Sequence, residues 1–283
     1  MTLPCRLAPA ALAAALAASS ASAQEAPKLQ LPRPSPAAVL KQTVGLTDIT
    51  IAYSSPAVRG RRIWGDVVPY DELWRAGANE CTKVTFGTPV SFSGKSVPPG
   101  SYCLFLLPTR TAWTLVLNKD TSLWGTSGYK SENDVLRVAA RTSAVPQRER
   151  LAYEILDFGD DGGTLALEWD TLRVSVRFDL ATREVVLASI RALKTDEWRP
   201  YALAARYLLD SKIEPQLAMQ LVDRSVQLKE HWFNLYVKAQ LQAAAGQKKE
   251  AVATGERALA LGKATPPFPA EDEVVKALAE WKK

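Results

Sequence analysis

The sequence predicts an all-β sandwich or jelly-roll-like domain followed by an all-α helical-repeat, tetratricopeptide-like region. Two features carry this. Apolar residues recur with period two from about Leu46 to Leu180, and then with a period of about 3.6 after Ala181. Turn-forming residues separate the first set, and the strand–helix–strand spacing of a nucleotide-binding α/β fold is missing.

In the first half, Ile49, Ile51 and Tyr53 alternate with Thr50 and Ala52, and Val84 and Phe86 alternate with Lys83 and Thr85. Leu165, Leu167 and Trp169 alternate with Ala166 and Glu168, and Leu172, Val174, Val176 and Phe178 with Arg173, Ser175 and Arg177. Such alternation marks half-buried antiparallel strands. Tyr102–Leu107 is apolar on both faces and reads as a central strand. Trp113–Asn118, Val135–Arg141 and Leu151–Phe158 bring the total to about eight or nine short strands. Ser93-Gly94-Lys95, Pro98-Pro99-Gly100, Asp160–Gly163 and Asp170-Thr171 supply the turns.

In the second half, Tyr201, Ala204, Ala205 and Leu208 share one helical face, and a shift of 33 residues relates Leu208 to Leu241, Ala218 to Ala251, Ser225 to Ala258 and Leu228 to Leu261. That period is close to the tetratricopeptide length. Gly246 within Ala244–Ala251 marks an inter-helix turn, and Glu271–Trp281 reads as a closing helix.

The N-terminus orders Arg6, an apolar run Leu7–Ala18 and the small residues Ala21-Ser22-Ala23, which is the pattern a signal peptidase reads. The expected organisation is a signal peptide over 1–23, a Pro-rich leader over 24–44, a β domain over 45–180 and a helical tail over 181–283, in a periplasmic or secreted protein. No later segment is long and apolar enough to be a transmembrane span.

Of the 283 residues, 47% are hydrophobic and 23% charged, a globular composition. Removal of the signal leaves 34 basic against 30 acidic side chains. Neither half concentrates positive charge, which argues against nucleic acid as a partner. Cys81 and Cys103 remain in a compartment that permits disulfides; pairing is favoured, the alternative being two inert core thiols.

Arg62, Trp64, Tyr70, Trp74, Arg75, Asn79, Glu80, Lys119 and Trp124 lie in Gly- and Pro-rich segments outside the alternating strands. Aromatic faces interleaved with amides and charges suit a carbohydrate or another small polar ligand. A structural role competes, since such tryptophans also plug barrel ends and an Arg75–Glu80 pair would pin a loop. No catalytic residue is assigned. The single histidine, His231, lies in the tail, and neither a Ser-His-Asp arrangement, a zinc site nor a cofactor-binding glycine loop is legible. A carboxylate pair of Asp66 with Asp71 or Glu80 is the remaining hydrolytic option.

The series Tyr53–Gly65, Val68-Pro69-Tyr70, Trp74-Arg75-Ala76-Gly77-Ala78-Asn79-Glu80, Val97–Tyr102, Trp113, Asn118-Lys119 and Trp124-Gly125 resembles the exported bacterial family known as domain of unknown function 2911. The likeness runs from about Gly45 to Leu180, and it implies a fold and an export route without implying a reaction. Cys81 and Cys103 depart from that family's usual small residues, and their joint appearance is what two bridged positions would produce. The expected function is a binding module whose β domain holds a small polar or sugar-like ligand and whose tail docks a partner protein. The alternatives are a structural envelope protein and a carboxylate-dependent hydrolase.

Overall fold

A computed structural model describes residues 31–283. The expected signal peptide and the first part of the leader lie outside the described residues. Strands β1 (Ala37–Val44), β2 (Thr47–Ser54), β3 (Thr82–Phe86), β4 (Val90–Phe92), β5 (Lys95–Val97), β6 (Gly100–Pro108), β7 (Trp113–Asn118), β8 (Asp134–Gly159) and β9 (Gly162–Leu180) form one antiparallel sheet. Its order is β1-β2-β3-β6-β7-β8-β9-β4-β5. Tyr102 to Leu106 is buried on both faces because β6 is central and covered on either side.

The sheet folds over at β8. Its first residues, Asp134 to Ala140, pair with β7, and from Arg141 onward it pairs with β9. Chain beyond β2 then meets the far half of β8, with Ala57 bridged to Arg150 and Val58 N–H donating to the Glu149 carbonyl at 2.8 Å. The enclosed core includes Ile49, Ile51, Val84, Phe92, Leu104, Trp169 and Phe178. Three details differ from the sequence reading. β1 occupies residues assigned to the leader, since the prolines end at Pro36 and the chain is free to pair from Ala37. The segments Val135–Arg141 and Leu151–Phe158 are one continuous strand. Asp170 is a bulge residue with φ 54° opposite Arg148, so Asp170-Thr171 bends β9 without ending it.

The tail holds α1 (Thr182–Arg191), α2 (Trp198–Asp210), α3 (Pro215–Leu228), α4 (Trp232–Ala244), α5 (Lys248–Ala264) and α6 (Glu271–Trp281). Leu208 and Leu241, Ala218 and Ala251, and Ser225 and Ala258 are all buried, so the 33-residue shift superposes equivalent packing positions. A polar junction ties the helices. Ser225 Oγ donates to the Trp198 carbonyl at 2.8 Å, and Asn234 Nδ2 donates to Ser225 Oγ at 2.9 Å. The tail is fixed to the sheet where Thr182 Oγ1 donates to the Asp160 carbonyl in the β8–β9 turn.

His231 caps α4. Its Nδ1 accepts the Phe233 N–H at 3.2 Å, and its ring stacks on Trp198 with centroids 4.5 Å apart. An accepting Nδ1 requires an unprotonated nitrogen. Burial, followed by the nearby Lys229 and Arg199, pushes the His231 pKa below its ordinary value. A base with a lowered folded pKa contributes stability that is present above the unfolded value, about 6.5, and lost as pH falls below it. The tail is therefore expected to melt at lower temperature at pH 5.5 than at pH 7.5, by the equivalent of about 1 kcal/mol for a lost cap. His231→Asn, which caps without titrating in this range, should flatten that difference; an equal slope in both proteins would refute the assignment.

Candidate functional site

Two groups of predicted site residues occupy different environments. Trp64 and Trp74 belong to an aromatic cluster completed by Trp113 and Trp169. Trp64 meets the other three edge-on at 5.2 to 5.9 Å, and Trp74 stacks on Trp169 at 5.9 Å. Trp169 is 1% exposed, which matches its assignment to packing. The indole nitrogens of Trp64 and Trp169 are buried without a partner among the described residues, and edge-to-face packing offers them only a weak π acceptor. Trp74 is also tied to β6 through paired backbone bonds with Leu106.

The segment Arg75–Glu80 is a loop held by its own backbone. Ala76 has φ 50°, and its carbonyl accepts from Tyr153 Oη at 2.7 Å and Thr82 Oγ1 at 3.0 Å. Burial pushes the Tyr153 pKa far up, so its hydroxyl stays a donor. Arg75 Nη1 donates to the Asn79 carbonyl at 2.6 Å, and Asn79 Nδ2 donates to Ser54 Oγ at 3.1 Å. The guanidinium lies flat against Gly125, where an added Cβ would stand 2.9 Å from Nη1. Gly77 is as constrained, since its Cβ would stand 2.8 Å from Thr82 Oγ1. The Arg75–Glu80 ion pair, the structural alternative read from the sequence, is not formed: the Asn79 carbonyl takes the guanidinium, and Glu80 meets Arg33 at 3.4 Å.

A disulfide joins Cys81 and Cys103, with Cα atoms 5.6 Å apart. Together with Phe105, Val116 and Leu123 it forms a small second core on the outer side of the sheet, under the chain between β7 and β8. That chain is shaped by Asn118, whose Nδ2 donates to Asp134 Oδ1 at 2.8 Å and whose Oδ1 accepts from Asp120 N–H at 3.0 Å. Tyr129 Oη donates to Asp134 Oδ2 at 2.7 Å. Trp124, 60% exposed, tops this layer and is bridged to Glu80. Beside it lies an open groove of about 300 Å³ lined by Arg33, Val39, Ala52, Glu80 and Lys83 among others. The Glu80 carboxyl is held below the usual range by its own backbone N–H and by Arg33, so it is anionic at neutral pH.

The loop thus brings Arg75, Asn79, Glu80 and Trp124 together, and the aromatic cluster brings Trp64 and Trp74 together. Arg62 and Lys119 are solvent-exposed, and Tyr70 packs under Arg110, whose guanidinium carbon lies 5.2 Å from the ring centre. A family model described as a protein of unknown function (DUF2911) matches residues 35–178. The chain belongs to this family. Comparison with curated proteins and with solved structures gives no match. The DUF2911 region begins before β1, so that strand is part of the family's unit, and it ends near the last residues of β9. Its Trp-Arg-x-Gly-Ala-Asn-Glu stretch is accounted for by the loop: the Trp fills the cluster, Arg and Asn close the turn, and Gly admits Thr82.

A further cavity lies outside the DUF2911 region. A cleft of about 820 Å³ opens between α2, α3 and α4, walled by Leu208, Leu209, Ile213, Met219 and Leu241. Gln242 Oε1 is buried there without a partner among the described residues, and Lys238 Nζ lies 2.8 Å from Asp223 Oδ1 at its side. Sequence reasoning missed it because its apolar walls, Leu208 and Leu209 on α2, Met219 on α3 and Leu241 on α4, are indistinguishable in sequence from core.

Arg75→Ala should lower the unfolding free energy by about 1–3 kcal/mol, the effect of one charged hydrogen bond to a carbonyl and its packing, without changing Glu80. A urea midpoint equal to that of the parent protein would show that the guanidinium does not close the loop. Reducing the disulfide, or replacing both cysteines by alanine, should remove about 3 kcal/mol by the chain-entropy relation for a loop of this length. Denaturation with and without reductant measures it, and coincident curves would exclude a stabilising bridge.

Proposed function

We propose that this protein is an exported interaction module in which the helical tail docks an apolar segment of a partner protein while the β domain holds a small polar or sugar-like ligand. The observation that carries the reading is the cleft between α2, α3 and α4. Its volume lies within the range of ligand-receiving pockets, and its walls are apolar with few polar groups, the pattern by which grooves take up side chains of a peptide. Stacked helix pairs contact only their neighbours, so such a groove remains open where one pair splays from the next.

Export is supported by the signal pattern at the N-terminus and by the Cys81–Cys103 bridge, since disulfides persist in oxidising compartments. A purely structural role is favoured for one part of the family segment: Arg75, Asn79, Trp64 and Trp74 are engaged by the domain itself. That leaves the open surface around Glu80 and Trp124 as the place for a ligand.

Met219→Arg tests the tail. Met219 is half-buried in the cleft wall, and a longer charged side chain there fills the groove while its head reaches water. Apolar peptides selected from a displayed library against the full chain should bind the variant at least about tenfold more weakly, with the melting midpoint nearly unchanged. Equal binding to parent and variant, or a selection that yields no apolar consensus, would rule out this cleft as the docking site.

A further inference from the structure

We propose that the groove on the outer face of the β domain binds a small zwitterion, a short peptide with a free ammonium and a free carboxylate, between Glu80 and Lys83. This deepens the small-ligand half of the function proposed above and rests on it.

The sheet register places the site. Val39 pairs with Ala52, Ala52 with Lys83, Lys83 with Cys103 and Cys103 with Asn118, so these five form one row across the outer face. Cys103 and Asn118 are fully buried under the disulfide and the chain before β8. Val39, in contrast, is 67% exposed, and Ala52 and Lys83 are only half-buried. The row therefore runs from a covered layer into an uncovered one, and the groove is the step between them.

Its lining carries charges of both signs: Arg33, Glu80 and Lys83. Lys83 is half-buried with no carboxylate partner among the described residues, so its ammonium is available to an incoming carboxylate. Among the described residues Arg33 meets only Glu80, at 3.4 Å, and both side chains are more than half exposed, so this pair contributes little and opens at little cost. With it open, Glu80 accepts from an ammonium while Lys83 donates to a carboxylate. Three residues of extended chain separate Glu80 from Lys83 by at most about 10–11 Å, a span that the termini of a short peptide bridge when both side chains reach into the groove. Ala37, Val39 and Ala52 supply an apolar floor suited to small aliphatic side chains, and the volume of about 300 Å³ sets a small upper size.

The test is an amide-shift titration of the mature full chain with L-alanyl-L-alanine, its N-acetyl form, its C-terminal amide, free alanine and glucose. The parent dipeptide should give saturable shifts at Val39, Ala52, Lys83 and the Trp124 indole. Blocking either terminus should weaken binding about tenfold or more, as the loss of one charge-assisted contact does. Lys83→Gln should abolish discrimination against the C-terminal amide, and Glu80→Gln discrimination against the N-acetyl form. Both are surface variants whose unfolding midpoints should equal the parent's. Blocked peptides that bind as well as the free one, unchanged binding by Lys83→Gln, or no saturable shift would overturn the proposal. Saturation by glucose at the same residues would overturn it while preserving a polar ligand for the β domain. Stronger binding of alanine than of the dipeptide would reject the peptide length. Met219→Arg should leave all of these responses intact, which separates this site from the tail cleft.

Discussion

The β domain depends on one strand belonging to two parts of a folded sheet. β8 gives its first residues to β7 and the remainder to β9, so the core is enclosed only if the strand bends between them. Farther along β8, opposite the bulge at Asp170, lies a charge cluster. Glu168 is 7% exposed, and burial alone would push its carboxyl up; hydrogen bonds from Arg148 and Arg173, both at 2.7 Å, outweigh that and hold it below its ordinary value. Arg148 also meets Glu154 on the same strand. A buried carboxylate with two guanidiniums is satisfied on both oxygens, which makes the bulge at Asp170 and the register shift opposite it at Arg148 a defined geometry. Trp169 stands beside that carboxylate on the inner side, and the aromatic cluster assembles on it.

The period-two strands were legible because one face of each is buried and the other wet: Ile49, Ile51, Val84 and Phe86 alternate in burial as they alternate in sequence. β1 was not legible, since it is an edge strand with Val39 turned outward, and its alternation is blurred by apolar residues on the open face. The middle of β8 was hidden for a related reason. Thr142 to Arg150 is mostly solvent-exposed and includes Pro146, so its strand conformation comes from pairing with β9 and leaves no hydrophobic signature. The tail was clearer than either, because helix pairs packed through Ala218, Ala251 and Ala258 repeat their small residues at a fixed interval.

The candidate site was legible as a set of residues but not as a set of roles. Arg75 and Asn79 use as partners the Asn79 carbonyl and Ser54 Oγ, and a sequence does not show which backbone carbonyl a loop will turn inward. A pair with Arg75 was one of two roles open to Glu80; its partner, Arg33, lies 47 residues earlier, in the leader. Lys83 was read only as the polar half of an alternating strand. Its position on the open side of a row that is closed at Cys103 depends on where the chain before β8 crosses the sheet.

The disulfide links these two layers. Cys81 immediately follows Glu80, and its bond to Cys103 fastens the start of β3 to β6 at the row that also holds Lys83. Cys81 N–H donates to the Leu123 carbonyl at 3.2 Å, and Glu80 is bridged to Trp124, so the covering chain is attached at the same point. The carboxylate of Glu80 is thus carried on backbone fixed from two directions, while the arginine facing it comes from exposed chain before β1. A charge on a rigid mount opposite one on a yielding mount admits a ligand without rearranging the sheet, because only the exposed partner has to move.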